Sequence, residues 1–303
     1  MGYGLIFAGQ GLQHAHTLRW LDDTGHTGLL RRHLGPTWRA HMADADWAQR
    51  NAVAQPLLTG LSLCTWQALV AHGLTAPSVV AGYSVGELAA FCVAGVFDAD
   101  TAMELAQQRA AAMDRAATGL ETGLLGLSGL PDAEIAMLCQ AFRLEIAIRS
   151  GPGTVVLGGT RAALRSAAAD AQAKGGQVTA LPVALASHTT WMRDAAVAFA
   201  ARLDERAFHR PATVLLGNYS GQRVSGADAA RQGLAHQVDH VVRWDDTMMA
   251  MAERGVHGVL EIGAGCALAR QWNTRFPSIA ARAADEFHGA AAVCDWVARH
   301  AAD

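Results

Sequence analysis

The run VVAGYSVGELAAF (79–91) holds a single serine, Ser84, between Gly82 and Gly86. A serine hydroxyl is a weak nucleophile unless a turn exposes it beside a base and near free backbone N–H groups. Here an apolar, β-rich run leads into the pentapeptide and a helix-forming run leads out, the setting of a sharp strand-to-helix elbow. The two glycines remove side chains where strand and helix must pass closely. The new helix points its free N–H groups and positive dipole end at Ser84, which suits a developing oxyanion. The plainer alternative is a glycine-rich turn with an incidental serine; the strand-helix context favours the catalytic reading.

Such a serine requires a base, and thirteen histidines compete for the role. Most lie among charged or polar neighbours. His188, in ALASHTTWM, falls where the chain leaves a predicted inserted unit and returns to the main body, a junction of the kind where clefts form. A lone histidine is also often a structural residue, so the residues alone leave both roles open. His236 and His240, in HQVDH, form an i,i+4 pair, but with no glutamate base and no third ligand at familiar spacing they predict no metal site. Arg109 is the other oddity. In DTAMELAQQRAAAMDRA it stands i,i+4 from both Leu105 and Met113, within the apolar stripe of a helix. A charge there needs an internal acid, a path to water along its own stem, or a bound anion.

The elements that would position these residues alternate between β-rich and amphipathic runs. GLIFAG predicts a strand, PLLTGLSLCTWQALVAHG a helix, SVVAGY a strand and VGELAAFCVAGV a helix, the rhythm of an α/β protein with a parallel sheet. A second rhythm begins near Gly123: GLLGLSGL (strand), PDAEIAMLCQAF (helix), LEIAIRSG and GTVVLGG (strands), TRAALRSAAADAQAKGG (helix) and QVTALPVA (strand). That βαββαβ order is the ferredoxin-like arrangement. Afterwards ATVLLGNYSG, a helical stretch to about His236, DDTMMAMAERG, GVLEIGAG and a last helical segment resume the larger pattern. The expected architecture is a discontinuous α/β core, 1–120 and 189–303, interrupted by an inserted ferredoxin-like subdomain at 121–188.

Composition narrows the function classes. With 303 residues the chain can bury a full core, and although 51% of it is hydrophobic, no apolar run is long enough to span a bilayer. Its opening residues, MGYGLIFAGQG, lack the regions of a signal peptide, so the expectation is a soluble, cytoplasmic protein without a membrane role. Five scattered cysteines without CxxC spacing indicate neither a disulfide framework nor a zinc cluster. A net charge of −3 without basic runs leaves no footprint for nucleic acid. Lys174 is the only lysine; the remaining basic side chains are arginines, which suit bidentate recognition of carboxylate or phosphate, although composition bias is the favoured explanation.

In order along the chain, FAGQG, GYSVGE, QRAAAM, SHTTWM, VRWDDTM and EIGAG resemble the FPGQG, GHSxGE, RGxxM, histidine, PVxW and EIGPG motifs of the malonyl-CoA acyltransferase family. The resemblance implies an α/β-hydrolase-like core carrying a ferredoxin-like subdomain. It implies Ser84 as the nucleophile that takes a malonyl group and His188 as its base. Gln10 and Val85 would supply oxyanion-hole N–H groups, and Gln237 the main-chain carbonyl that orients the histidine in place of a triad aspartate. Arg109 would grip the free malonyl carboxylate.

No tightly bound cofactor is implied; a CoA thioester is the substrate, and an acyl-carrier protein with a phosphopantetheine-type arm the acceptor. Tyr83 stands where the family usually has histidine, Ala8 where it has proline, and RSGPGTVVLGG lacks an asparagine often found there. Within the family, GYSVGELAAF with NAVAQPLLTGLSLCTWQAL looks most like the epsilon subunit of malonate decarboxylase. That relative charges a carrier subunit bearing a phosphoribosyl-dephospho-CoA arm, and other decarboxylase subunits would be further partners. A fatty-acid-synthesis transacylase is the alternative within the family. A serine esterase and a non-catalytic scaffold subunit are the alternatives outside it.

Overall fold

Strands covered on both faces read as apolar runs, and the first sheet is made largely of them, interrupted by Glu261 and Arg282. The computed structural model, which describes residues 2–301, forms this sheet from β1 (Tyr3–Phe7), β2 (Val79–Gly82), β7 (Val214–Leu216), β9 (Gly258–Ile262) and β10 (Ala280–Ala283). All neighbours are parallel, in the order β10-β9-β1-β2-β7, and every residue of β1, β2 and β9 is buried. Parallel neighbours require crossovers, and helices over both faces supply them. The helix Asn51–Ala71 joins β1 to β2, and the helix Gly86–Val93 leaves β2 directly after Ser84.

The second sheet is antiparallel where the first is parallel. It comprises β3 (Thr122–Ser128), β4 (Glu145–Gly151), β5 (Thr154–Thr160) and β6 (Gln177–Ala180) in the order β6-β3-β5-β4. That is the ferredoxin-like order expected from the βαββαβ pattern. Period-2 alternation sorts its side chains. Leu125, Leu127, Val155 and Leu157 pack under the helices Asp132–Phe142 and Arg161–Ala173, while Leu124 and Val156 face the opposite way and join the core around Ile6, Val79 and Met248. A fifth strand, β8 (Val242–Arg243), comes from the later part of the chain and pairs in parallel with β4, tying the second sheet to the main body.

Several expectations shift. The helix expected to begin at Pro56 starts five residues earlier, at Asn51, and so holds Pro56 in its interior, where the ring nitrogen has no N–H to give to the Ala52 carbonyl. Strand β6 ends at Ala180, so the LPVA of the expected strand QVTALPVA is irregular chain, as Pro182 cannot donate to a ladder. The helix Arg193–Asp204 and strand β10 were not anticipated; the AARA of β10 carries no β-branched residue to mark it. Among the described residues no helix is long and apolar enough to cross a membrane.

Candidate active site

At the end of β2 the backbone of Ser84 turns into the left-handed region, φ 54°, before the helix Gly86–Val93 begins. A non-glycine residue there is strained and must be held by its surroundings. The flanking glycines make the turn possible: a Cβ on Gly82 would lie 2.2 Å from the carbonyl carbon of Gly86, and one on Gly86 would lie 2.4 Å from the carbonyl oxygen of Phe7. Neither contact could be relieved without moving backbone.

His188 lies where the chain returns from the second sheet, itself at φ 62° and 1% exposed. Its main-chain N–H donates to the Val238 carbonyl at 2.9 Å, and its Nδ1 lies 2.6 Å from the Gln237 carbonyl oxygen. A carbonyl only accepts, so Nδ1 carries the proton and Nε2 presents a lone pair. The Ser84 hydroxyl donates to that lone pair across 2.7 Å. Gln237 follows the last turn of the helix Ala227–His236, so its carbonyl belongs to the negative end of a helix and favours the imidazolium that forms when serine gives up its proton. Burial, then the nearby charge of Arg109, lowers the His188 pKa to about 3, while the bond to Gln237 pulls it upward. The ring is therefore a neutral base at rest.

Arg109 lies in the helix Ala99–Ala116, 3% exposed, along the stripe that also buries Leu105 and Met113. Its Nη1 donates to Gln55 Oε1 and its Nη2 to Gln237 Oε1, each at 2.7 Å. Both acceptors are neutral amides. They aim the guanidinium without neutralising it, and burial lowers its pKa to about 10, with Glu87 opposing that fall.

A buried polar network holds these groups. Asn218 Oδ1 accepts from the Ser84 main-chain N–H at 2.8 Å, and its Nδ2 donates to the Gly82 carbonyl at 2.6 Å, bracing both sides of the elbow. The Gln237 carboxamide donates to the Ser84 carbonyl at 2.7 Å and to Glu87 Oε2 at 2.8 Å. Glu87 Oε1 accepts from the Asn218 main-chain N–H at 2.6 Å. Burial pushes the Glu87 carboxyl up to about 8 against the pull of those N–H donors and of Arg109.

Ser84, His188, Arg109 and Gln10 line one small pocket of about 50 Å³, and Gln237 backs it through its bonds to three of its walls. Val85 heads the helix beyond Ser84, and among the described residues neither its amide nor that of Gln10 has a hydrogen-bond partner. The structure thus gathers all six residues singled out in the sequence. His236 and His240 instead pack their rings against Tyr219. Tyr83 lines the pocket and meets Trp244 edge to face.

Residues not foreseen are Gln55, Glu87 and Asn218. Glu87 left a signal: it is the one charged residue in the otherwise apolar helix GELAAFCV. The small pocket shares Leu124, Leu181, Val183 and Leu185 with a larger cavity of about 840 Å³ whose lining also includes Arg50, Arg161 and Arg165.

The acyl transferase domain model matches residues 41–296. A malonyl CoA-acyl carrier protein transacylase of Mycolicibacterium smegmatis is 36% identical over 229 residues, 75% of this chain and 77% of that protein. Among solved structures, MCAT from Mycobacterium tuberculosis superposes with a TM-score of 0.87 at 30% identity, covering 98% of this chain and 100% of that one. A malonyl-transacylase solved in complex with its type II PKS acyl-carrier protein superposes with a TM-score of 0.90 at 26% identity, covering 97% and 99%.

Proposed function

Because this chain belongs to the acyl transferase family, we propose that it transfers a malonyl group from malonyl-CoA to the thiol of an acyl-carrier protein through a malonyl ester on Ser84. The observation that carries the reading is the Ser84–His188 hydrogen bond of 2.7 Å in a pocket that also holds an arginine bound only by neutral amides. His188 takes the hydroxyl proton as Ser84 Oγ attacks the thioester carbonyl. The oxyanion is held by the amides of Gln10 and Val85. Collapse of the tetrahedral intermediate expels CoA thiolate, which takes the proton back from the imidazolium. In the second half the carrier thiol gives its proton to His188 and attacks the ester, and Ser84 leaves with that proton.

Arg109 pairs with the free malonyl carboxylate in this scheme, and the 50 Å³ floor has room for only a handful of non-hydrogen atoms, which suits a short acyl group. The wider cavity receives the pantetheine arm, with Arg50, Arg161 and Arg165 toward the phosphates. An esterase would need the same serine and histidine but would have no use for Arg109.

For the acceptor we propose the carrier subunit of malonate decarboxylase, with its phosphoribosyl-dephospho-CoA arm, on the strength of GYSVGELAAF and the preceding helix sequence. A fatty-acid carrier is the second reading; the Mycolicibacterium relative is named for transfer to an acyl carrier protein. The test isolates the malonyl-enzyme and follows its decay alone and with each carrier, while the free enzyme is assayed separately for turnover of neutral esters, which would support an esterase. Decay in buffer as fast as with either carrier rejects a transferase. Strong preference for the fatty-acid carrier keeps the chemistry and replaces the pathway.

A further inference from the structure

Three separate segments meet behind Ser84: the elbow itself, the loop after β7 that carries Asn218, and the turn after the helix Ala227–His236 that carries Gln237. Asn218 holds the elbow, through the Ser84 amide and the Gly82 carbonyl. Gln237 holds the base with its main-chain oxygen, the carboxylate clamp with its side-chain oxygen, and the Ser84 carbonyl with its side-chain nitrogen. Glu87 is the side chain that touches both holders, accepting from Asn218 through one oxygen and from Gln237 through the other.

The chemistry of that contact is specific. Both partners are N–H donors, so the side chain between them must offer two acceptors; a carboxylate does so, and these two donors, with Arg109, oppose the burial that pushes the group toward its protonated form. A glutamine would place its NH2 against one of the two donors. The acceptor on the Gln237 side also fixes which way round that carboxamide sits. With its nitrogen committed to Glu87 and Ser84, its oxygen is the atom left facing Arg109. Glu87 therefore reaches Arg109 through an intervening amide and leaves the rest of the guanidinium free for a ligand. A buried carboxylate is a poor way to gain stability, since a well-packed apolar side chain serves as well or better, and Glu87 is 1% exposed.

Building on the malonyl-transfer reading, we propose that Glu87 is a positioning residue that sets the nucleophile, the base and the carboxylate clamp as one unit. The test measures single-turnover acylation of Ser84 by malonyl-CoA and by acetyl-CoA, on enzyme whose active sites have been titrated so that misfolded protein is not counted. Glu87→Gln is expected to slow malonyl acylation roughly ten- to a hundredfold and acetyl acylation less, so that preference for malonyl falls severalfold. In an Arg109→Ala background the same change should no longer alter the preference, while the slower acylation persists.

Glu87→Asp keeps two acceptors on a shorter stem; it should acylate more slowly than wild type yet retain most of the malonyl preference, and it serves if the glutamine variant does not fold. Wild-type rates per titrated site in either variant, or an unchanged preference in Glu87→Gln, would overturn the role of Glu87 alone. Failure of the wild-type enzyme to acylate at Ser84 would overturn the malonyl-transfer reading beneath it, and this proposal with it.

Discussion

At the floor of the cleft, Glu87, Arg109, His188, Asn218 and Gln237 are each at most 3% exposed and are joined by hydrogen bonds of 2.6–2.8 Å. At its mouth, Arg50, Arg161 and Arg165 are exposed, and of the three only Arg161 makes a side-chain hydrogen bond among the described residues, to the Thr122 carbonyl at 3.3 Å. The floor spends buried polar groups on fixed geometry, which matters where bonds are made and broken. The mouth presents long cations on flexible stems, which suits a mobile phosphate arm that must enter and leave. Changes at the floor should therefore be severe and specific for the acyl group, and changes at the mouth mild and sensitive to salt.

The largest effect tests whether the floor is catalytic at all. His188→Ala should lower the rate of Ser84 acylation by roughly ten thousandfold, since serine and histidine act as a unit. Stopped-flow release of CoA reads this directly, and a loss of only a few fold would make His188 structural.

The contrast between floor and mouth was unevenly legible in the sequence. Ser84 announced itself because the elbow is local: strand, two glycines and helix are contiguous. Most strands could be read because apolar runs and amphipathic helices follow one another along the chain, whereas β10 carries no β-branched residue and β8 is two residues long and owes its existence to pairing with β4. His188 is one of thirteen histidines and is selected by contacts 104 residues away from Ser84, which no spacing rule reveals. The role expected of it comes from the resemblance. Asn218, in GNYSG, reads as a turn residue, and Glu87 reads as a dipole-favoured acid in the first turn of a helix. Gln55 was missed because Pro56 marked the wrong helix start, and the extra turn carries the amide that aims Arg109.

The next effect in size separates acyl recognition from catalysis. A hydrogen bond between buried charges contributes about 1.5–3 kcal/mol. Arg109→Ala should thus lose roughly ten- to a hundredfold in malonyl transfer while acetyl transfer suffers much less. Equal losses for both acyl groups would reduce Arg109 to a packing residue.

The mouth should respond more weakly. Removing two of the three exposed charges, in Arg161→Ala with Arg165→Ala, should raise KM for malonyl-CoA by about threefold to tenfold and weaken its salt dependence with kcat unchanged. Malonyl-pantetheine, which has no phosphates, should be turned over as well as by wild type. A similar rise in KM for both substrates would show that the arginines shape the cavity rather than meet phosphate.

The smallest effect is an expected constancy. With the His188 pKa lowered from 6.5 to about 3, the imidazole stays in its neutral, proton-accepting form at any pH well above 3. Burst acylation by malonyl-CoA should therefore show no fall centred near pH 6.5 wherever the protein remains folded, and a change toward pH 8 would report Glu87, whose carboxyl burial pushes up to about 8. A fall centred near pH 6.5 would mean that the base is far more solvated than the floor of the cleft allows.

The central claim is that Ser84 carries the malonyl group between donor and carrier. Intact-mass measurement after brief exposure to malonyl-CoA, followed by peptide mapping, tests it most directly. A gain of one malonyl unit per chain is expected on the peptide containing Ser84, absent from Ser84→Ala and discharged on addition of a carrier thiol. Label on a cysteine, or undiminished labelling of Ser84→Ala, would contradict it.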